Sequence, residues 1–118
     1  MLANTLTVTI NAVAKVLTRV NQDNFSSQYQ LVSATESLIL KIRHTTEKSG
    51  GYSYTRHNVE LSWLIFATPT TFEQHYVASQ TFKHRVGAPN DPTVLAQEVA
   101  GLATLVNAQA AAIVAGES

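Results

Sequence analysis

The sequence contains no cysteine, which excludes disulfides, thiolate metal sites and a cysteine nucleophile, and fits a reducing compartment. It also lacks an excess of charge, because eight Lys and Arg are matched by eight Asp and Glu. Overall basicity therefore gives no argument for nucleic-acid binding, which would need a local patch made by the fold. No apolar run reaches the roughly 18 residues of a membrane span, and the N-terminus has no basic region followed by a hydrophobic block. The expectation is a soluble, untargeted chain with no membrane partner. Internal repeats and linkers are missing too, so 118 residues with 45% hydrophobic content are read as one domain over 1–118.

The charges that are present are unevenly spread. The first 86 residues hold all eight Lys and Arg against five acids, whereas the remainder has Asp91, Glu98 and Glu117 alone, or about +3 against −3 by count.

Hydrophobic periodicity gives a series of strands. "TLTVTI" alternates threonine with Leu6, Val8 and Ile10, the period-two signature of a strand with one buried face. "AKVLTRV" sets Ala14, Val16, Thr18 and Val20 opposite Lys15, Leu17 and Arg19, and "NA" between the two runs suits a tight turn, so 1–22 reads as an N-terminal hairpin. "NQDNF" is a polar turn cluster and "SSQYQLVS" a short third strand. In "SLILKIRHTT", Leu38, Leu40 and Ile42 share one face and Ile39, Lys41, Arg43 and Thr45 the other. "EKSGG" follows as a turn whose glycines tolerate positive φ. The returning strand, about Tyr54 to Phe66, puts Val59, Leu61, Trp63 and Ile65 opposite Arg56, Asn58, Glu60 and Ser62, until "TPTT" breaks it at Pro69. "YVASQTFKHR" then sets Tyr76, Ala78 and Phe82 against Val77, Ser79, Thr81, Lys83 and Arg85. These strands form a main sheet over 27–86 with one apolar and one polar, basic face.

The period changes at "GAPNDPTVLAQEVAGLATLV". Asp91 suits an N-cap and Pro92 the first helical position, and Leu95, Val99, Leu102 and Val106 follow at helical spacing. "AQAAAIVAGES" extends this helix or forms a second one, with Gly116 as the stop, so 91–116 is a helical block. The fold class is α+β: an N-terminal hairpin, an antiparallel sheet of about five strands, and one or two C-terminal helices. Such a sheet is about 25 Å wide, from strands about 4.8 Å apart, whereas a helix is about 10 Å across. One or two helices leave Trp63, Ile65, Tyr76 and Phe82 partly uncovered, and a homodimer or larger assembly is the remedy.

The order of elements, with "LKIRHTTEKSGGYSYTRHNVEL", a long last strand and a helical block ending "AAAIVAGES", resembles the coat proteins of single-stranded RNA bacteriophages, the levivirus-like group. The resemblance covers nearly the whole chain, with "IRHTTEK" and "RHNVEL" its most distinctive parts. It implies intertwined dimers in which two sheets join edge to edge and each subunit's helices lie over its partner's sheet. Leu61, Trp63, Phe82, Leu95, Val99 and Leu102 would then form the dimer interface. The dimers would assemble, in the cytoplasm of a bacterial host, into the icosahedral capsid of a virion. The loop "ATPTTFE", with Thr68, Pro69, Thr70 and Thr71, would make contacts between dimers. The inner sheet face would bind single-stranded genomic RNA through a hairpin, for packaging and translational repression of the replicase.

Carried over residue by residue, the implied RNA contacts are Lys41, Arg43, Thr45, Arg56, Asn58, Ser79, Thr81, Lys83 and Arg85, with Ile39 and Glu60 on the same face. Lys and Arg attract phosphates without reading sequence, while Asn58, Ser79 and Thr81 suit base edges or sugars. Unpaired bases also need stacking platforms, and this inward set has no aromatic. Tyr52, Tyr54 or Tyr29 would have to supply one after a change of register.

Other readings compete. Lys41, Arg43 and Arg56 also fit a solvated face paired with Glu47 and Glu60. His44, His57, His75 and His84 are scattered over the elements without a chelating spacing, so no metal is expected, and no cofactor. Asp23 sits in a turn and Asp91 is better used as a cap, no serine lies on a nucleophile elbow, and the glycines form no phosphate loop, so an enzyme is not expected. The alternative function is a non-viral dimeric α+β module, binding a small molecule or acting as a small hydrolase or isomerase, with a pocket between sheet and helix.

Overall fold

The computed structural model describes residues 2–23, 25–87 and 90–116. Met1, Asn24 and Glu117, assigned above to the hairpin, the polar turn and the acidic C-terminal part, lie outside the described residues.

Six strands precede one helix: β1 Thr5–Ile10, β2 Val13–Gln22, β3 Ser26–Val32, β4 Glu36–Ser49, β5 Tyr52–Ile65, β6 Gln74–Arg85 and α1 Pro92–Val114. The strands form a single antiparallel meander in sequence order. The N-terminal hairpin is therefore the first third of the same sheet, which has six strands in all. Two tight turns set the registers. Asn11 and Ala12, at φ 50° and 64°, join Ile10 to its partner Val13, and Gly50 and Gly51, at φ 59° and 82°, join Ser49 to Tyr52. Two-residue turns of this kind require positive φ at both central positions, which glycine adopts freely and Ala12 adopts under strain.

One face of the sheet carries the core. Leu17, Tyr29, Leu38 and Leu40 are buried, and Leu6, Val8, Ile10, Ile42, Leu61 and Trp63 pack around them. The sheet curls until its first strand meets the same cluster as its fifth. In β2 the set facing inward is Lys15, Leu17 and Arg19, while Val16 and Val20 are about half exposed. Alternation alone favours the opposite choice, and local partners decide otherwise. Lys15 pairs with Glu36, which also accepts a hydrogen bond from the Trp63 indole at 2.8 Å, and the Lys15 ammonium lies 5.5 Å from the Trp63 ring centroid. The Lys15 hydrogen bond, and then that from Trp63, hold the Glu36 carboxyl below its ordinary value. Arg19 donates to the Ala3 carbonyl, to the side chains of Asn4 and Gln22, and to the Tyr29 hydroxyl, which itself donates to Ala3 at 2.7 Å. This arginine fastens the segment before β1 across β2 and β3, and a half-buried cation is tolerated there because carbonyls and amides surround its guanidinium.

The helix begins and ends where capping chemistry demands. The Asp91 carboxylate accepts from the Thr93 amide at 2.9 Å with Pro92 behind it, and Gly116, at φ 89°, closes the far end. Of the two readings of the alanine-rich segment, extension holds: it continues α1 to Val114, and among the described residues there is one helix. No residue of α1 is buried; Leu95 and Val99 are half-buried, and Leu102 is 55% exposed. The Cα radius of gyration is 16.9 Å, whereas a compact chain of this length would have about 13.5 Å. A single chain thus leaves its helix and much of its apolar face unfinished.

Leu17→Ala should cost about 2–5 kcal/mol in urea unfolding, and Val16→Ala about 1 kcal/mol or less. Equal losses would mean that β2 shows its other face to the core.

Candidate nucleic-acid interface

The opposite face of the sheet is set by the β4–β5–β6 register. Across β4 and β5, Lys41 stands opposite Glu60, Arg43 opposite Asn58 and Thr45 opposite Arg56. Across β5 and β6, Arg56 stands opposite Lys83, Asn58 opposite Thr81, Glu60 opposite Ser79 and Tyr54 opposite Arg85. With side chains alternating along each strand, all nine residues proposed for RNA contact share this face. Five cations and two carboxylates, Glu47 and Glu60, lie on it.

The ion pairs leave capacity to spare. Arg43 donates to Glu60 at 3.0 Å and Lys83 to Glu47 at 2.6 Å, both at exposed positions where such pairs contribute little. The Lys83 hydrogen bond is the main reason that the Glu47 carboxyl lies below its ordinary value. Among the described residues, Lys41 and Arg56 have no ion-pair partner within 4.0 Å. Asn58 donates to the Thr81 hydroxyl at 2.9 Å beside a shallow cleft of about 350 Å³ lined by Arg43, Thr45, Arg56, Asn58, Glu60 and Ser79. A second cleft brings Ser26 and Gln28 of β3 to Lys41 and Arg43.

Aromatics also stand on this face, without any change of register. Tyr54 is the cross-strand partner of Glu47 and Arg85, and Tyr52 lies two residues before it. Arg85 sits 3.9 Å from the Tyr52 ring centroid and Lys83 4.9 Å from that of Tyr54. Tyr29 is excluded as a platform, since it is fully buried on the core side. Counting back by twos from Arg56 identifies both platform tyrosines. Gln28 and Ser26 carry no comparable signal, because only the β3–β4 register brings them to Lys41 and Arg43.

On the core side, a trough of about 740 Å³ runs between the sheet and α1, lined by Leu40, Val59, Leu61, Phe82, Val99 and Leu102 among others. Trp63 is already engaged by Glu36 and Lys15 of its own chain. Three histidines are not scattered but adjacent there: His44 and His57 are cross-strand partners with Nδ1 atoms 2.7 Å apart, and the His84 ring lies 5.8 Å from that of His57. Among the described residues no group of three ligands is arranged to hold a metal ion.

A family model for the coat protein of phage phiCb5 matches residues 3–85, the segment that contains all six strands. The chain belongs to that coat-protein family. No curated protein matches it. As a phage coat protein it has a structural role in the capsid, which places it in the virion within a shell of many subunits. The match ends with β6, so α1 lies beyond the matched segment.

In this coat protein, Glu47→Gln with Glu60→Gln should free Lys83 and Arg43. Binding to a random single-stranded oligonucleotide should strengthen, and its log–log salt slope should steepen by roughly 0.7 for each cation released to a phosphate. Glu73→Gln, in the loop before β6, should change neither.

Proposed function

We propose that this coat protein serves a single-stranded RNA phage of the levivirus-like kind, forms homodimers, and meets the packaged genome with the uncovered face of its sheet. The observation that carries the reading is the register that gathers Lys41, Arg43, Arg56, Lys83 and Arg85 with Tyr52 and Tyr54 on the face opposite the core. The cations suit phosphates, the tyrosines offer rings to unpaired bases, and Asn58, Thr81 and Ser79 offer hydrogen bonds between them. Thr45 stands beside Arg56 in the same row.

Dimer formation is supported by what one chain leaves open. β6 is an edge strand of 12 residues with no charged side chain from Tyr76 to Phe82, the kind of edge that invites pairing. Two copies joined there about a two-fold axis would make one sheet of twice the width. Each α1 could then seat Leu95, Val99 and Leu102 over the apolar face of its partner, against Leu61 and Phe82, with Trp63 at the margin. On this reading the trough belongs to subunit packing, not to a small-molecule pocket. The β5–β6 loop is suited to contacts between dimers: Thr68 and Thr71 exchange backbone hydrogen bonds around Pro69 and Thr70, and Phe72 is 92% exposed. Recognition of a genomic hairpin, with translational repression, and assembly in the host cytoplasm complete the proposal.

Expression in bacteria tests it. Electron microscopy and absorbance should show uniform shells carrying RNA, and Lys41→Ala with Arg43→Ala should lower the RNA content and its salt sensitivity while leaving the dimer folded. A small species free of nucleic acid over a range of salt and concentration would count against the reading, as would unchanged RNA content in the double variant.

A further inference from the structure

The histidine row on the core side has no part in RNA contact. His44, His57 and His84 come from β4, β5 and β6 and bring their rings together in a row, edge-on between His44 and His57 and stacked between His57 and His84. The His57 ring also lies 5.6 Å from that of Phe82, a residue of the trough wall. Two Nδ1 atoms 2.7 Å apart can share only one hydrogen. One nitrogen donates and the other must accept, so this contact cannot survive with both rings protonated.

The surroundings of the three rings differ. His44 borders a cleft with Arg19 and Asp23, from β2 and the turn after it. His84 borders another with Asp91, the cap of α1, with Glu98 of α1 and with Tyr54, Lys83 and Arg85 of the sheet. His57 lies between the other two, its ring centroid 5.0 Å from that of His44 and 5.8 Å from that of His84. With all three rings charged, His57 would stand flanked by two cations on a partly apolar surface.

We propose that His44, His57 and His84 form an acid-sensitive latch on the helix-bearing face, neutral when the face is closed and forcing it open around Phe82 when the row becomes fully protonated. Burial first, and then the charges of His44 and His84, hold His57 below its ordinary value of 6.5. A base held neutral in this way contributes stability that is complete above about pH 6.5 and is lost as the pH falls through its lowered value. The inference concerns the folded chain whatever it encloses, so it stands apart from the RNA reading.

The test is the melting temperature of the purified, assembled protein at about pH 7.5 and about pH 5.5, a range in which histidines titrate and ordinary carboxylates do not. The native protein should lose on the order of 4 °C or more on acidification, and His57→Gln should lose little. His44→Gln keeps His57 in place but removes one neighbouring charge, and should reduce the acid loss by about half. An unchanged melting temperature in the native protein would overturn the proposal. So would an acid loss in His44→Gln equal to that of the native protein, a comparison that holds even if His57→Gln does not fold.

Discussion

Everything in this molecule depends on the strict alternation of side chains along β4, β5 and β6. A strand can bury only half of its residues against one layer, and here the halves are chemically opposite: Leu40, Val59 and Leu61 on one side, Lys41, Arg56 and Lys83 on the other. A slip of one residue in β4 or β5 would drive cations into the core and leucines onto the basic face. The two 14-residue strands of the central hairpin hold the register from Glu36 to Ile65 without a bulge, so the separation of faces extends along their full length.

The same alternation explains why much of the fold was legible beforehand. The central hairpin and the Asp91–Pro92 helix start follow from local signals, period two in one case and capping in the other, and both are present. β2 was harder because its two residue sets are nearly balanced. Leu17 faces inward only because Glu36 and Trp63 stand ready for Lys15, and the Ala3 carbonyl and Tyr29 for Arg19. Those partners are distant in sequence and no window of neighbouring residues contains them.

The basic face was legible residue by residue, but its company was not. Tyr52 and Tyr54 were expected there only after a change of register, but they stand on this face in the register present, because the strand begins at Tyr52, directly after the glycine turn. The histidine row is different in kind. His44, His57 and His84 are separated by 13 and 27 residues in the chain, and they meet because two antiparallel registers align them laterally. Spacing in sequence says nothing of such rows until the turns that set the registers are known.

The helix without a buried residue carries a consequence for how damage to this protein would show itself. Substitutions on the exposed stripe of α1, at Leu102 or Val106, have little in their own chain to disturb. On the subunit packing proposed above, their effect would fall on the free energy of meeting another subunit, which depends on how many subunits are present. Such a defect would be masked where coat protein is abundant and felt where it is scarce, so on that packing α1 would govern the concentration at which a shell begins to form more than the stability of any one chain.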